Sequence, residues 1–412
     1  MLISPTCDLM SCAPFICDTL GTLYTPVGST SYGVPLTTAS DGIIAPPNTG
    51  LACPNFSCYD GAVFRLWDSN VQPAIDDQWN LTIQHQFAPT LTLQVGYVGQ
   101  VAYHLMVPFK YNQLVYNPGG TPSPSLYLRN GIGPEFAGAI DSTGGTISGT
   151  QSNGRMMYNA LQAVLQKTMG RGLQFQVSYT LSKCMTNNIG YYGTGSPARQ
   201  SANASPYWQN VYDPGAEWSP CYYDALSNLT GYAVYSLPFG QGRQFANTEN
   251  KVVNAVVGGW QVSPIVTVRS GFPLALGNNT GDPTGTFSGG IRPDCNGTNT
   301  IYGRQNYAVS GGGGGFLWFD PNNYTNNTSG FGNCAPSISQ LRGPGYYDWD
   351  ISLQKNFQLT ERFRLEFRTD FLNTFNRVNL GAPNTTVDQA TTGVIQTAQP
   401  ARNIQFALKL YF

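Results

Sequence analysis

The sequence predicts an all-β fold: an antiparallel, up-and-down set of strands forming part of a membrane-spanning β-barrel, with short turns at one end and long loops at the other. Three observations carry this prediction. The last ten residues, NIQFALKLYF, place Ile404, Phe406, Leu408, Leu410 and Phe412 on one face of an extended strand and Asn403, Gln405, Ala407, Lys409 and Tyr411 on the other, and the chain stops on the aromatic residue. Segments with the same period of two recur upstream. The connections between them alternate between short and long, as they do in barrels whose strands turn one face to lipid and the other to a wet lumen.

Nine strands are expected, near 79–87, 91–100, 157–167, 173–183, 229–237, 260–270, 348–357, 362–374 and 403–412. The first pair is separated only by Ala88, Pro89 and Thr90, and the second by a turn containing Gly170 and Gly172. Leu173 to Lys183 alternates most cleanly, with Leu173, Phe175, Val177, Tyr179 and Leu181 opposing Gln174, Gln176, Ser178, Thr180 and Ser182. The third pair has a connection of about twenty residues, in which KVVNAVVGG is a candidate short helix. The fourth pair flanks the tight turn QLTE. Pro264 removes a ladder donor inside its strand, so a bulge or bend is expected there. Long connections span 101–156, 184–228, 271–347 and 375–402. Gly311 to Gly315 and Asn322 to Gly330 within them read as flexible polar runs.

Composition agrees. Charged residues make up 10% of the 412-residue chain, against roughly 25% in a typical soluble domain. The 47 glycines, 28 prolines and 13% aromatics suit turns, loops and strands. A net charge of −1 gives no reason to expect a nucleic-acid partner. No apolar run reaches the ~18 residues of a membrane helix, whereas a barrel strand needs only ~9–11 alternating residues. Residues 1–78 read as an irregular, loop-rich segment containing cysteine and proline, and 79–412 as the barrel portion. The amino terminus has no basic region and no apolar core, so it is not a signal peptide, and LMSC at Leu9 to Cys12 is only a faint likeness to a lipoprotein cleavage site. The expectation is a carboxy-terminal piece of a longer protein, or a misplaced start.

Nine cysteines are present. Cys7, Cys12, Cys17, Cys53 and Cys58 fall in the irregular segment, Cys184 and Cys221 at either side of one long loop, and Cys295 and Cys334 within another. This placement suits loop-stapling disulfides in an oxidising compartment, with Cys53, Cys58, Cys184, Cys221, Cys295 and Cys334 the candidates and the pairing open. The alternative is a metal site, but the spacing of Cys7, Cys12 and Cys17 matches no common zinc pattern and His85 and His104 are distant, so no metal is expected.

One strand breaks the uncharged pattern. Arg362, Arg364, Glu366, Arg368 and Asp370 alternate with Phe363, Leu365, Phe367 and Phe371. Charges at the lipid midplane would each cost roughly 2–4 kcal/mol, so this face is expected to be lumen-facing. Asp348 and Asp350 have the same parity on the preceding strand and could supply partners. A structural cross-strand ladder is the simpler reading; a lining that meets a plug or a passing solute is the functional one, and both can hold together.

No catalytic constellation is present: there is no Gly-x-Ser-x-Gly elbow, His-Glu-x-x-His or Walker loop. Carboxylate pairs such as Asp348 with Asp350, or Glu366 with Asp370, share a face with arginines, so ion pairing explains them more simply than glycoside hydrolysis. No enzyme activity and no cofactor is expected. Trp208, Trp218, Tyr222, Tyr223, Trp318 and Phe319 in the loops could stack on sugars or simply pack the loops.

From about Trp79 onward the sequence resembles the carboxy-terminal part of the barrel of TonB-dependent outer-membrane transporters, most of all the Oar-like group, whose members carry an amino-terminal carboxypeptidase-regulatory-like domain. The resemblance rests on an ordered series: QWNLTIQHQF (78–87), VGYVG (95–99), YNALQAVLQK (158–167), LQFQVSYTLSK (173–183), VYSLPFGQGR (234–243), GGWQVSPIVTVRSGFP (258–273), LRGPGYYDWDISLQKNF (341–357), FRLEFRTDFLNTFNRVNLGAPNTTV (363–387) and ARNIQFALKLYF (401–412). It implies a barrel of about 22 strands with a plugged lumen, short periplasmic turns and long extracellular loops, a bacterial outer-membrane location, and active uptake of a large solute such as a siderophore or oligosaccharide. The partners it implies are outer-membrane lipid, the barrel-assembly machinery through the carboxy-terminal strand, and TonB through an amino-terminal region not recognisable here. Two other readings stay open: a secreted all-β binding module, such as a lectin or adhesin, and a smaller porin-like channel.

Overall fold

A computed structural model of the chain describes residues 3–5, 63–68, 70–123, 125–127, 146–188, 207–247, 250–278, 280–308, 314–360 and 362–412. Nine antiparallel strands occupy the nine expected positions: β1 (Ile75–Ala88), β2 (Leu91–Lys110), β3 (Thr146–Gly170), β4 (Leu173–Thr186), β5 (Ser227–Ser236), β6 (Trp260–Arg269), β7 (Tyr346–Gln358), β8 (Arg364–Leu372) and β9 (Asn403–Tyr411). They form one meander in chain order, each bonded to the next. Among the described residues β1 pairs only with β2, and β9 only with β8. Val63–Trp67 adds in parallel to the loop end of β3, and Ile3–Pro5 pairs with that segment.

Register carries the alternation across the whole sheet. Leu81, Tyr97, Leu161 and Leu181 lie side by side, as do Val262, Leu353, Thr369 and Phe406. A one-residue slip anywhere would turn a strand's apolar set to the opposite face. The apolar face is bare: Leu81 and Ile83 are each 68% exposed, Phe406 72% and Leu408 67%. A water-soluble sheet buries such a face; a barrel wall gives it to lipid.

The short connections are β1–β2, β3–β4, β5–β6 and β7–β8. Arg171 and Gly172, both at positive φ, make the two-residue turn between β3 and β4, the backbone that matches the twist of paired strands. The candidate helix is present as α1 (Lys251–Val257), whose first turn is capped by the Asn250 side chain accepting from the Val252 and Val253 amides at 2.9 and 3.3 Å.

Three expectations need correction. Pro264 causes no bulge: β6 stays in continuous register with β7, Ile351 opposite Pro264, and only the pairings to β5 lapse around it before resuming in the same register. The missing donor is absorbed by local loss of pairing, without a change of register. The connection 101–156 is largely strand. β2 runs 20 residues and β3 runs 25, about twice the ~9–11 that cross a membrane, so both project well beyond it. The register between them shifts around His104 and Leu105, where Gly154 packs so closely that a β-carbon would meet the Leu105 carbonyl oxygen. The alternation rule misses this extension because loops cover both faces there: Val107, Phe109 and Ile147 are buried, and so are Ser148, Thr150 and Gln151.

The long loops also carry structure where flexible runs are expected. Gly314–Phe319 is a strand between Ile301–Ala308 and Val394–Ile395. Asn322 and Asn323 lie in a 3-10 turn, and Tyr324–Thr325 pairs with Asp294–Cys295. Residues 309–313 lie outside the described set. Leu274, Leu276, Phe319, Tyr324, Ile338, Leu341 and Val387 close a hydrophobic cluster here. The packed core of the molecule therefore sits in the loops at one end of the sheet.

Candidate functional site

The face opposite the apolar one is polar on every strand. Asn80, Thr82, Gln84 and Gln86 of β1 start it, followed by Gln94 and Gln100, Gln162 and Gln166, Gln174 and Gln176, and Thr230. Amides and hydroxyls are satisfied by water or by one another without a fixed charge. Charge concentrates on the last strands.

β8 places Arg364, Glu366, Arg368 and Asp370 on this face. Arg368 Nε donates to Asp370 Oδ1 at 2.8 Å along the strand. Glu366 is buried and accepts from the Tyr411 hydroxyl at 3.1 Å, and the Arg364 guanidinium lies 4.4 Å from the Tyr411 ring centre. β9 sets Lys409 opposite Glu366 and Gln405 opposite Asp370. Ile404, Phe406, Leu408 and Leu410 occupy the other face of β9, and Phe412 follows its end, 95% exposed.

Two of the expected placements differ. Arg362 is in the turn before β8, its amide donating to Thr360 Oγ1 at 3.3 Å, because the turn closed by Leu359 and Phe363 consumes it. Asp348 and Asp350 share the polar face but do not pair with the β8 arginines. Register sets Ser352 opposite Asp370 and Gln354 opposite Arg368, which leaves both aspartates nearer the loops. Asp350 Oδ1 accepts the Asn373 amide at 2.9 Å, and Asp348 Oδ2 accepts the Tyr346 hydroxyl at 3.1 Å. Sequence reasoning missed Arg269, which shares this face near them: its guanidinium stacks 4.2 Å over Phe272. Arg269 Nε and Asp348 Oδ1 are buried without a protein partner. The parity of Arg269 was the available signal.

Above this face the loops are bound together by buried polar groups. Arg292 Nη1 donates to both Glu217 oxygens at 2.7 Å, and its Nε donates to the Cys334 carbonyl at 2.7 Å. Gln209 joins the same cluster: its amide nitrogen donates to Gly332 O at 2.9 Å while its oxygen accepts the Arg292 amide at 2.8 Å. Gln113 Nε2 donates to Gln209 O at 2.8 Å, so three long loops meet in one network. Arg342 Nη2 donates to Asp224 Oδ2 at 2.6 Å, and Asp224 Oδ1 accepts the Cys184 amide at 2.7 Å. Cys184 is disulfide-bonded to Cys221 and Cys295 to Cys334; each bridge lies beside one of these ion pairs. Cys53 and Cys58 lie outside the described residues. Among the described residues no group of three or more His, Cys, Asp or Glu is placed to hold a metal ion.

The loop aromatics divide. Trp208 and Phe319 are fully buried, so they pack the loops, with Trp208 edge-on to Phe109 at 6.1 Å. Trp218 and Tyr223 are exposed, Tyr222 and Trp318 half-buried. Burial drives the Tyr111 phenol up to about 12, with Asp68 adding to it, and does the same for Tyr324 beside Asp320. A cleft of about 290 Å³ opens among these loops, lined by Tyr207, Asn278, Asp282, Ser288 and Arg292 among others.

The family model for the outer membrane beta barrel domain matches residues 12–405. No curated protein matches the chain. Solved structures resemble it distantly. The Escherichia coli outer-membrane transporter YddB is 10% identical with a TM-score of 0.40, the match covering 85% of this chain and 34% of that one. The pyoverdine receptor FpvA of Pseudomonas aeruginosa is 9% identical at 0.38, covering 83% and 30%. The siderophore receptor PirA of Acinetobacter baumannii is 10% identical at 0.37, covering 85% and 33%. The chain thus spans about a third of the length of these proteins.

Proposed function

Because the chain belongs to the outer membrane beta-barrel domain family and resides in the bacterial outer membrane, we propose that it forms wall and external loops of a TonB-dependent transporter of the Oar-like group, taking up a large polar solute such as a siderophore or oligosaccharide. The observation that carries this reading is the sheet's second face: hydrogen-bonding amides over most strands, then a charged band on β7 to β9 under loops held by two disulfides. Such a face suits a wide, wet lumen better than a packed protein interior. Arg269 and Asp348, half-buried charged side chains on the polar face beside the loops, are the candidate solute contacts. TonB is the proposed source of energy, and the barrel-assembly machinery the proposed partner of β9.

Deleting the gene in its host and following uptake of labelled ferric siderophores and oligosaccharides tests the proposal. Loss of uptake of one solute class, together with abolition of the wild-type uptake by a protonophore, is the expected result. Passive ion conductance by the purified chain in planar bilayers, with uptake unchanged in the deletion, would favour the porin-like reading instead.

A further inference from the structure

The helix α1 is built inside out. Of its residues, Val252 is 73% exposed and Val256 65%, with Val253 and Ala255 exposed beside them. The polar residue Asn254 turns inward, its Oδ1 accepting the Gln241 amide at 2.8 Å. A surface helix in water has the opposite arrangement, apolar residues inward and polar ones outward.

The helix is also fixed to a particular face. The Val256 carbonyl accepts the Trp260 indole N–H at 2.8 Å and the Lys355 ammonium at 3.0 Å, and Lys355 also donates to the Gly258 carbonyl. Trp260 and Lys355 are directly opposite one another in β6 and β7. They share the parity of Val262, Leu353 and Phe357, which is the apolar, lipid-facing side. A lysine there is costly at the midplane and nearly free at the interface. Lys355 is three residues from the turn end of β7. Lys167, of the same outward parity, is likewise three residues from the turn end of β3, and it donates to Thr90 Oγ1 at 3.1 Å. Both lysines thus stand near the turn ends of their strands on the outward side.

We infer that α1 is an interfacial membrane anchor: it lies on the periplasmic leaflet at the foot of the barrel wall, with Val252 and Val256 inserted among the acyl chains of phospholipid. Lys355 and Trp260 hold it there by occupying the carbonyls at its carboxy-terminal end, and they make its apolar side continuous with the lipid-facing side of β6 and β7. The role is separate from solute transport.

The photo-crosslinker p-benzoylphenylalanine, introduced singly at Val252, Val256, Phe406 or Asn322 of the full chain, tests this in vesicles of phosphatidylethanolamine and phosphatidylglycerol. Phe406 reports insertion of the wall, and Asn322 is an exposed loop position. After irradiation, mass spectrometry is expected to find phospholipid adducts at Val252, Val256 and Phe406 and none at Asn322. Phospholipid adducts at Phe406 with none at Val252 and Val256 would overturn the inference, whatever the chain transports. So would crosslinks from Val252 and Val256 to protein alone.

Discussion

Arg292 and Glu217 are 75 residues apart in sequence, yet each is the other's charge partner inside the loops. The carboxylate is fully buried and the guanidinium nearly so. Removing one partner strands the other, which typically costs about 3–5 kcal/mol. Glu217→Gln and Arg292→Met are therefore each expected to loosen the loops severely, and the double variant to recover part of the loss, as read by urea-dependent proteolysis of the loop region. Equal, additive losses would show that the two residues act independently. The buried phenols make a second prediction at this scale. Their folded pKa is raised to about 12, so their contribution is complete below the unfolded value of about 10 and fades as pH rises from there towards 12. Tyrosinate absorbance should show Tyr111 and Tyr324 titrating late, lost selectively in Tyr111→Phe and Tyr324→Phe variants. Neither network is written locally in the sequence: a period-two pattern says which face a residue takes, and nothing about which loop meets which.

At the scale of elements, the strands were legible because period-two alternation fixes face and register together, and β4 and β9 show it with almost no exception. The Phe406 side of β9 is the clearest case. Phe406→Arg puts a charge on the lipid face and is expected to destabilise the folded barrel wall by about 2–4 kcal/mol at midplane depth, whereas Gln405→Arg on the neighbouring face should cost little; urea titration in vesicles measures both. The ends of β2 and β3 were not legible, since above the membrane their two faces are both covered and the alternation stops carrying information. The loops were misjudged for a related reason. Asn- and Gly-rich runs look flexible, but the buried side chains Phe319, Tyr324 and Leu341 and the bridge from Cys295 to Cys334 hold them. Closing a loop of that size contributes about 4 kcal/mol in the chain-entropy picture. Replacing both cysteines by serine is expected to speed proteolysis of 271–345 while leaving the sheet's heat-modifiable migration on gels unchanged. Loss of the sheet itself would mean that the loops and the wall fold as one unit.

The molecule as a whole has one division: a single sheet with one face for lipid and one for water, crowned by a packed set of loops. Nothing in the charge or the size of the chain requires it. It follows from register conserved over nine strands, so that Trp79 of β1 and Leu410 of β9 serve the same surface despite the length of chain between them. In the charged band, period-two alternation sets the parity but not the partners, and the aspartates of β7 bond to Asn373 and Tyr346 in place of the β8 arginines. Spin-label scanning of β9 tests the division most directly. With Cys7, Cys12, Cys17, Cys53 and Cys58 replaced by serine, single cysteines from Asn403 to Tyr411 can be labelled and the chain folded into phospholipid vesicles. A period of two is expected, with oxygen accessibility highest at 404, 406, 408 and 410 and accessibility to a water-soluble nickel chelate highest at 403, 405, 407 and 409. Uniform access of the nickel chelate to both sets would contradict it.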